Sequence, residues 1–469
     1  MSTAPQAEVS EIDASARWPL SLLLAYALLW LLVSGALALA NLAQTLSPGL
    51  LAECAALSYG RMHALQESAL VYGWIANAGF AVALWILGRL GGSPLRSLNW
   101  VVVGTLFWNF AVTLGLIGIM FGQGTSIPFL HLPRYVQPLL LVAFAAIATP
   151  GVLAWIGRSR PTTFAAQWYA VAALFLFPWL FSAAQVMLLW APVRGVLQAV
   201  AAGWFAQGAW TLWIAPLSLA AAYYLVPKIT GRVIPSYDFS ALSFWTLLVV
   251  GGWTGGRHLV GGPVPVWVPS MAIVSCVLLT FHYIVTALNL RGAFGQCSTA
   301  LKFVAFGLAA YVIGGFTDAI TATRSIAQVT QFTWFSQAQT QLALTGAFSM
   351  IVFGAIYFLV PRLANRPWPS TPLIRAHYAA AVLGTLGLVL SLAVAGIVEG
   401  RELGDAAIPF ADIAAHTRVW LEIAAASQAL LLVGNAVLAF HFARLLAARP
   451  VVTATSLFRP PPTMEASVS

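Results

Sequence analysis

The stretch FSQAQTQLALTGAFSMIVFGAIYFLVP, residues 335–361, decides the class of this protein and poses its main question. It is mostly apolar and long enough to cross a bilayer as a helix, which needs about 20 apolar residues. Yet its first turns carry Gln337, Gln339 and Gln341 at alternate positions. Each unsatisfied polar group in hydrocarbon costs several kcal/mol, so amides there need partners. Residues 339 and 341 lie roughly 200° apart around a helix axis and therefore face opposite sides of it.

The rest of the chain repeats the apolar pattern. Of 469 residues, 60% are hydrophobic and only 7% charged, with a mean hydropathy of +0.87; soluble domains carry roughly a quarter charged residues. This composition describes an all-α polytopic membrane protein and excludes a soluble domain. Apolar spans fall near 19–43, 64–88, 99–121, 133–157, 164–189, 197–226, 240–260, 265–290, 301–322, 335–361, 374–398 and 419–446. Breakers such as GRLGGSPLRS, VPKITGRVIPSYD and VPRLANRPWPSTP separate them, and no loop is long enough for a second domain. The seventh and eighth boundaries are the least sharp, because GGPVPVWVP also reads as a re-entrant turn. The expected division is a cytoplasmic N-terminal tail over 1–18, a twelve-helix membrane domain over 19–446 and a disordered cytoplasmic tail over 447–469, which contains RPPP.

Basic residues set the orientation. Fifteen Lys and Arg fall in the N-terminus, the even-numbered loops and the C-terminus; the odd-numbered side has seven, namely Arg61, Arg134, Arg194, Arg257, Arg324, Arg401 and Arg418. This bias puts both termini in the cytoplasm. The net charge of +9 is thus a topology signal rather than a nucleic-acid footprint. The N-terminus, mildly acidic through Glu8, Glu11 and Asp13, is unlike a cleavable signal peptide. Cys54, Cys276 and Cys297 are far apart and lack CxxC spacing, so no disulfide framework, zinc site or cluster is indicated. No phosphate-binding glycine loop, HExxH or nucleophile elbow occurs.

With this topology the unusual residues fall at one depth. Gln66 lies near the outer start of span two, Gln207 in the outer half of span six, and Gln339 and Gln341 near the outer start of span ten; Arg257 and His258 close span seven. One buried amide is ordinary glue between helices. Six polar positions on four helices at a common level point instead to a shared central site, present or ancestral, expected as one polar, water-containing cavity.

Four segments carry a family resemblance: YGRMHALQESALVYGWIANAGF (59–80), AAYYLVPK (221–228), FWTLLVVGGWTGGRHL (244–259) and FGAIYFLVPRL (353–363). Together they resemble subunit I of cbb3-type cytochrome c oxidases, members of the haem-copper oxidase superfamily. The resemblance covers about a third of the chain and implies a subunit I-like bundle in a bacterial inner membrane. It places a low-spin haem ligand at Gln66, copper ligands at Gln207, Arg257 and His258, and the ligands of the high-spin and low-spin haems at Gln339 and Gln341. A further histidine position falls at Gln331, a tyrosine of the oxygen chemistry at Gly251, and an outer acid at Thr317, beside Asp318. Amides and an arginine thus stand where imidazoles should bind metal, and only His258 remains of the six. A neutral amide oxygen is a poor donor to iron or copper.

These readings favour a cofactor-free homologue: no haem or copper, no catalytic residue, and a structural or accessory role among other membrane subunits of a respiratory complex, in contact with lipid and not with nucleic acid. The alternatives are an active terminal oxidase or nitric oxide reductase that binds haem b and copper through displaced ligands, and a secondary transporter. Arg257 is expected to pair with an acid such as Glu67, and Glu67 and Glu422 with Arg61 or Arg257. His63 is expected to pair with Glu53 or Glu67, His131 to sit at the outer interface and His282 to be a satisfied core residue, while His377, His416 and His441 flank spans.

Overall fold

Apolar runs bounded by Gly, Pro and Arg fold into membrane-length helices. The computed structural model describes residues 4–296 and 298–447; Cys297 and all of the expected C-terminal tail beyond 447 lie outside the described residues. Among the described residues, eleven helices are long and apolar enough to cross a membrane. They are Glu11–Leu46, Tyr59–Gly91, Leu98–Met120, Gln137–Ile156, Ala165–Trp190, Val196–Thr230, Trp267–Ala293, Thr299–Thr321, Trp334–Ala364, Thr371–Glu402 and Phe410–Ala447. The remaining crossing, span seven, is a helix over Tyr237–Gly251 followed by a 3₁₀ turn over Thr254–Leu259. The protein is an all-α polytopic membrane protein of about twelve helices.

The first helix departs from the expected boundary near residue 19, because it is continuous from Ala4 to Leu46. Asp13 is buried there, with Arg89 Nη1 at 2.8 Å and Trp85 Nε1 at 3.0 Å. A charge interrupts an apolar run in the sequence, but span two compensates it in the fold.

Loop contacts fall into two sets, as alternating spans require. At one end Asp13 meets Arg89, Ser159 Oγ donates to the Gly91 carbonyl at 3.0 Å, Ala165 N–H donates to Tyr237 Oη at 3.0 Å, and Asn289 Nδ2 donates to the Ser236 carbonyl at 3.2 Å. At the other, Arg61 Nη1 donates to the Met120 carbonyl at 3.0 Å and Trp334 N–H donates to Glu399 Oε2 at 2.9 Å. We call these the even-loop and odd-loop faces.

Enclosure is uneven. The most hydrophobic windows of spans two, six and ten are 100%, 94% and 89% buried, whereas every other candidate span stays at 56% or below. The three helices that carry Gln66, Gln207, Gln339 and Gln341 therefore form the bundle centre, and the rest wrap around them. The entry to span ten is fixed by span eleven, where Gly396 and Gly400 allow backbone contact: a Cβ on Gly396 would lie 2.0 Å from Phe335 N, and one on Gly400 1.7 Å from the Val329 carbonyl oxygen.

Candidate functional site

The structure separates the six expected cavity residues into two groups, plus Gln207. Gln66 and Gln341 face a cleft among spans one, two, ten, eleven and twelve. It holds two adjoining cavities of about 60 and 30 Å³, both lined by Gln66, Gln341 and Gln428. The outer one adds Asn41, His63 and Gln337; the deeper one adds Ser349, Thr385 and Asn435. Gln341 Oε1 accepts a hydrogen bond from Thr345 Oγ1 at 2.7 Å, and Gln428 Nε2 donates to the Gly35 carbonyl at 3.3 Å.

The second group lies on the other side of span ten. Arg257 Nη1 is 2.9 Å from Asp318 Oδ2, and both side chains are largely buried. Gln339 Nε2 donates to Asp318 Oδ1 at 3.1 Å and to Thr321 Oγ1 at 2.9 Å. Arg257 Nε donates to His258 Nε2 at 3.2 Å, and the Gln331 side chain donates to the His258 carbonyl. His258 itself is exposed. Its neighbour points inward because both sit on the 3₁₀ turn Thr254–Leu259, in which successive side chains are about 120° apart.

The single cavity is therefore corrected to two sites. The cause is the angular offset of Gln339 and Gln341, which sends the two amides to opposite sides of one helix. Gln207, half-buried on span six, lines neither cavity. The expected Arg257–Glu67 pair is also corrected, since the partner is Asp318. Glu422 pairs with Arg418, four residues away on its own helix.

Glu67 anchors a separate cluster. Its Oε1 accepts from Phe129 N–H at 2.5 Å and lies 3.2 Å from His131 Nε2, while His63 Nε2 is 3.9 Å from Oε2. His131 Nδ1 is 2.9 Å from the Thr125 carbonyl. An imidazole between two acceptors is best satisfied with both nitrogens protonated. Burial opposes that charge, but Glu67 and the Thr125 carbonyl outweigh it and hold the His131 pKa above its ordinary value. A raised folded-state pKa adds stability that is fully present below the unfolded value of about 6.5 and is lost as pH rises through the folded value. The melting temperature of the wild type should exceed that of His131→Gln most at mildly acid pH and converge toward it on alkalinisation; a gap that widens with pH would contradict the clamp. His282 is a satisfied core residue, with Ser243 Oγ and Tyr311 Oη each 2.9 Å from its ring nitrogens.

Two features escaped the sequence reading. Wide π-helical turns over Ala69–Ile75, Ala209–Ile214 and Leu342–Ser349 begin just after Gln66, Gln207 and Gln341. Such turns cluster at functional sites, and nothing in composition marks them. The Gly396–Gly400 contact did have a signal, the GxxxG spacing of GIVEG.

Comparison with known proteins defines the class first. The structure matches a chain of a solved heme-copper terminal oxidase dimer with a TM-score of 0.66, covering 96% of this chain and 85% of that one at 13% identity, a likeness of fold. The family model for cytochrome c and quinol oxidase polypeptide I matches residues 19–430, and the chain belongs to that family. It is 24% identical over 426 residues to Rhodobacter capsulatus cytochrome c oxidase subunit 1, covering 84% of this chain and 78% of the relative. It is 25% identical over 356 residues to the cbb3-type subunit CcoN1 of Stutzerimonas stutzeri, covering 73% and 75%.

Proposed function

We propose that this chain works without haem or copper, as a structural or accessory membrane subunit of a respiratory complex. It would lie in a bacterial inner membrane with its even-loop face toward the cytoplasm. The observation that carries this reading is the Arg257–Asp318 ion pair at a position where the resemblance calls for a copper ligand. A guanidinium has no lone pair to give and its charge repels a metal ion. The haem positions are no better suited. Gln341 Oε1 is engaged by Thr345, and Gln339 turns its amide nitrogen to Asp318. Among the described residues, no group of three or more His, Cys, Asp or Glu is placed to hold a metal. Haem and copper do not fit this donor set.

These residues instead keep a hollowed site packed and neutral. Arg257 supplies a positive charge, Asp318 balances it, and Gln339 and Thr321 complete the hydrogen bonds. The named relatives are oxidase subunits, which supports a place in an assembly. Mild-detergent purification from native membranes should recover the chain in fixed ratio with other membrane subunits of a respiratory complex. Recovery as a lone chain, with respiration intact after its deletion, would overturn the accessory role.

A further inference from the structure

Between spans four, five and seven the bundle surface is hollowed near the even-loop face. The groove has a volume of about 430 Å³ and runs between Trp155 at the end of span four, Trp168 and Leu176 on span five, and Ala241, Trp245 and Leu248 on span seven. Trp168 is fixed as one wall. Its Nε1 donates to Thr163 Oγ1 at 3.0 Å, and its ring packs on Tyr237 and Phe244 with centroids 5.8 and 6.2 Å away. Trp245 is 59% exposed, so the groove opens sideways, toward lipid. At 1.5 Å per helical residue, the stretches from Trp168 to Leu176 and from Ala241 to Leu248 are roughly 10–12 Å long. That is most of one leaflet's hydrocarbon, about half of a core of about 30 Å. A crossing helix needs a seat along the whole core, whereas an acyl chain needs only one leaflet.

Charge marks the mouth of the groove. Arg158 follows span four, and its guanidinium carbon lies 4.6 Å from the centre of the Trp155 ring. Its Nη1 donates to the Trp155 carbonyl at 2.8 Å, and its Nε is buried without a protein partner. Among the described residues, no carboxylate pairs with this guanidinium. The flanking loops 157–164 and 231–236 carry Arg158, Arg160 and Arg232 and no acid. Asp238, in the first turn of span seven, is the acid nearest to them along the chain.

We propose that this groove holds one acyl chain of an anionic phospholipid, with the lipid phosphate against the Arg158 guanidinium. Lipid tails are as apolar as the groove, so seating a chain there gives little preference over bulk lipid. The preference comes from the headgroup. Basic pockets between membrane helices bind anionic headgroups, and a guanidinium presents phosphate with a planar fork of N–H donors. The Trp155 ring beneath it holds that fork over the end of the groove. The site does not depend on whether the chain carries haem or copper.

The test places the full-length chain in liposomes of zwitterionic lipid with a trace of photoreactive phosphatidylglycerol or phosphatidylcholine. The two probes carry the same diazirine-bearing acyl chains and differ in headgroup charge. After illumination, peptide mapping should find residues 168–176 and 241–248 labelled about fivefold more by phosphatidylglycerol. Arg158→Gln should bring the two probes to parity, and Arg158→Lys, which keeps the charge, should retain the preference. Ala241→Trp fills the groove and should lower labelling by both probes; should it not fold, as judged by thermal unfolding in detergent, the two surface Arg158 variants decide. Equal labelling by both probes in the wild type, or an undiminished preference in folded Arg158→Gln, overturns the proposal. Absence of labelling from both segments also overturns it, since the groove is then covered by something other than lipid, such as a partner's helix.

Discussion

Arg257→Met is expected to destabilise the protein by about 3 kcal/mol, because removing one member of a buried ion pair leaves its partner uncompensated. Among the described residues, the Asp318 carboxylate would keep only the hydrogen bond from Gln339 Nε2, at 3.1 Å. Its 18% side-chain exposure lets water reach it and keeps the expected cost at the lower end of the usual range for buried pairs, roughly 3–5 kcal/mol. The double variant Arg257→Met/Asp318→Leu removes both charges and should recover most of the loss, since a well-packed apolar pair replaces a buried ion pair at little cost. Thermal unfolding in detergent reads both. A single variant as stable as the wild type would mean that Arg257 is only a loop charge.

Gly400→Ala is expected to be comparably damaging by a different route. The added methyl carbon would lie 1.7 Å from the Val329 carbonyl oxygen, and backbone cannot rotate aside as a side chain can. Span eleven or the segment before span ten must move, at a cost of about 3 kcal/mol or more. Trp334 N–H is held by Glu399 Oε2 next to this contact, so a shift would loosen the first turn of span ten and misplace Gln339 and Gln341. Gly49→Ala, whose Cβ position has nothing within 4 Å, is the control and should leave yield and melting temperature unchanged. Equal behaviour of the two variants would refute the close approach.

The sequence carried the architecture because lipid forbids ambiguity. A run of apolar residues ending in Gly, Pro or Arg has few options besides a crossing helix. Boundaries blurred where charge is neutralised by a distant partner, as Asp13 is by Arg89. The unusual site residues were conspicuous for the same reason, since amides stand out in a membrane span. Their partners were not. Asp318 lies on span nine and Arg257 just past the end of span seven, and no local pattern links them. The opposed faces of Gln339 and Gln341 followed from helix geometry alone, yet dividing the polar layer into two sites needed the three-dimensional position of spans one, eleven and twelve.

Haem and copper content per chain tests the central claim most directly. Full-length protein purified from cells that make haem should show no Soret band attributable to bound haem and no stoichiometric copper by elemental analysis. Amides, a guanidinium and one exposed imidazole stand at the expected donor positions, and none of them replaces a set of histidines. A Soret band amounting to one haem per chain, or one copper per chain, would contradict it and return the protein to the catalytic members of its family.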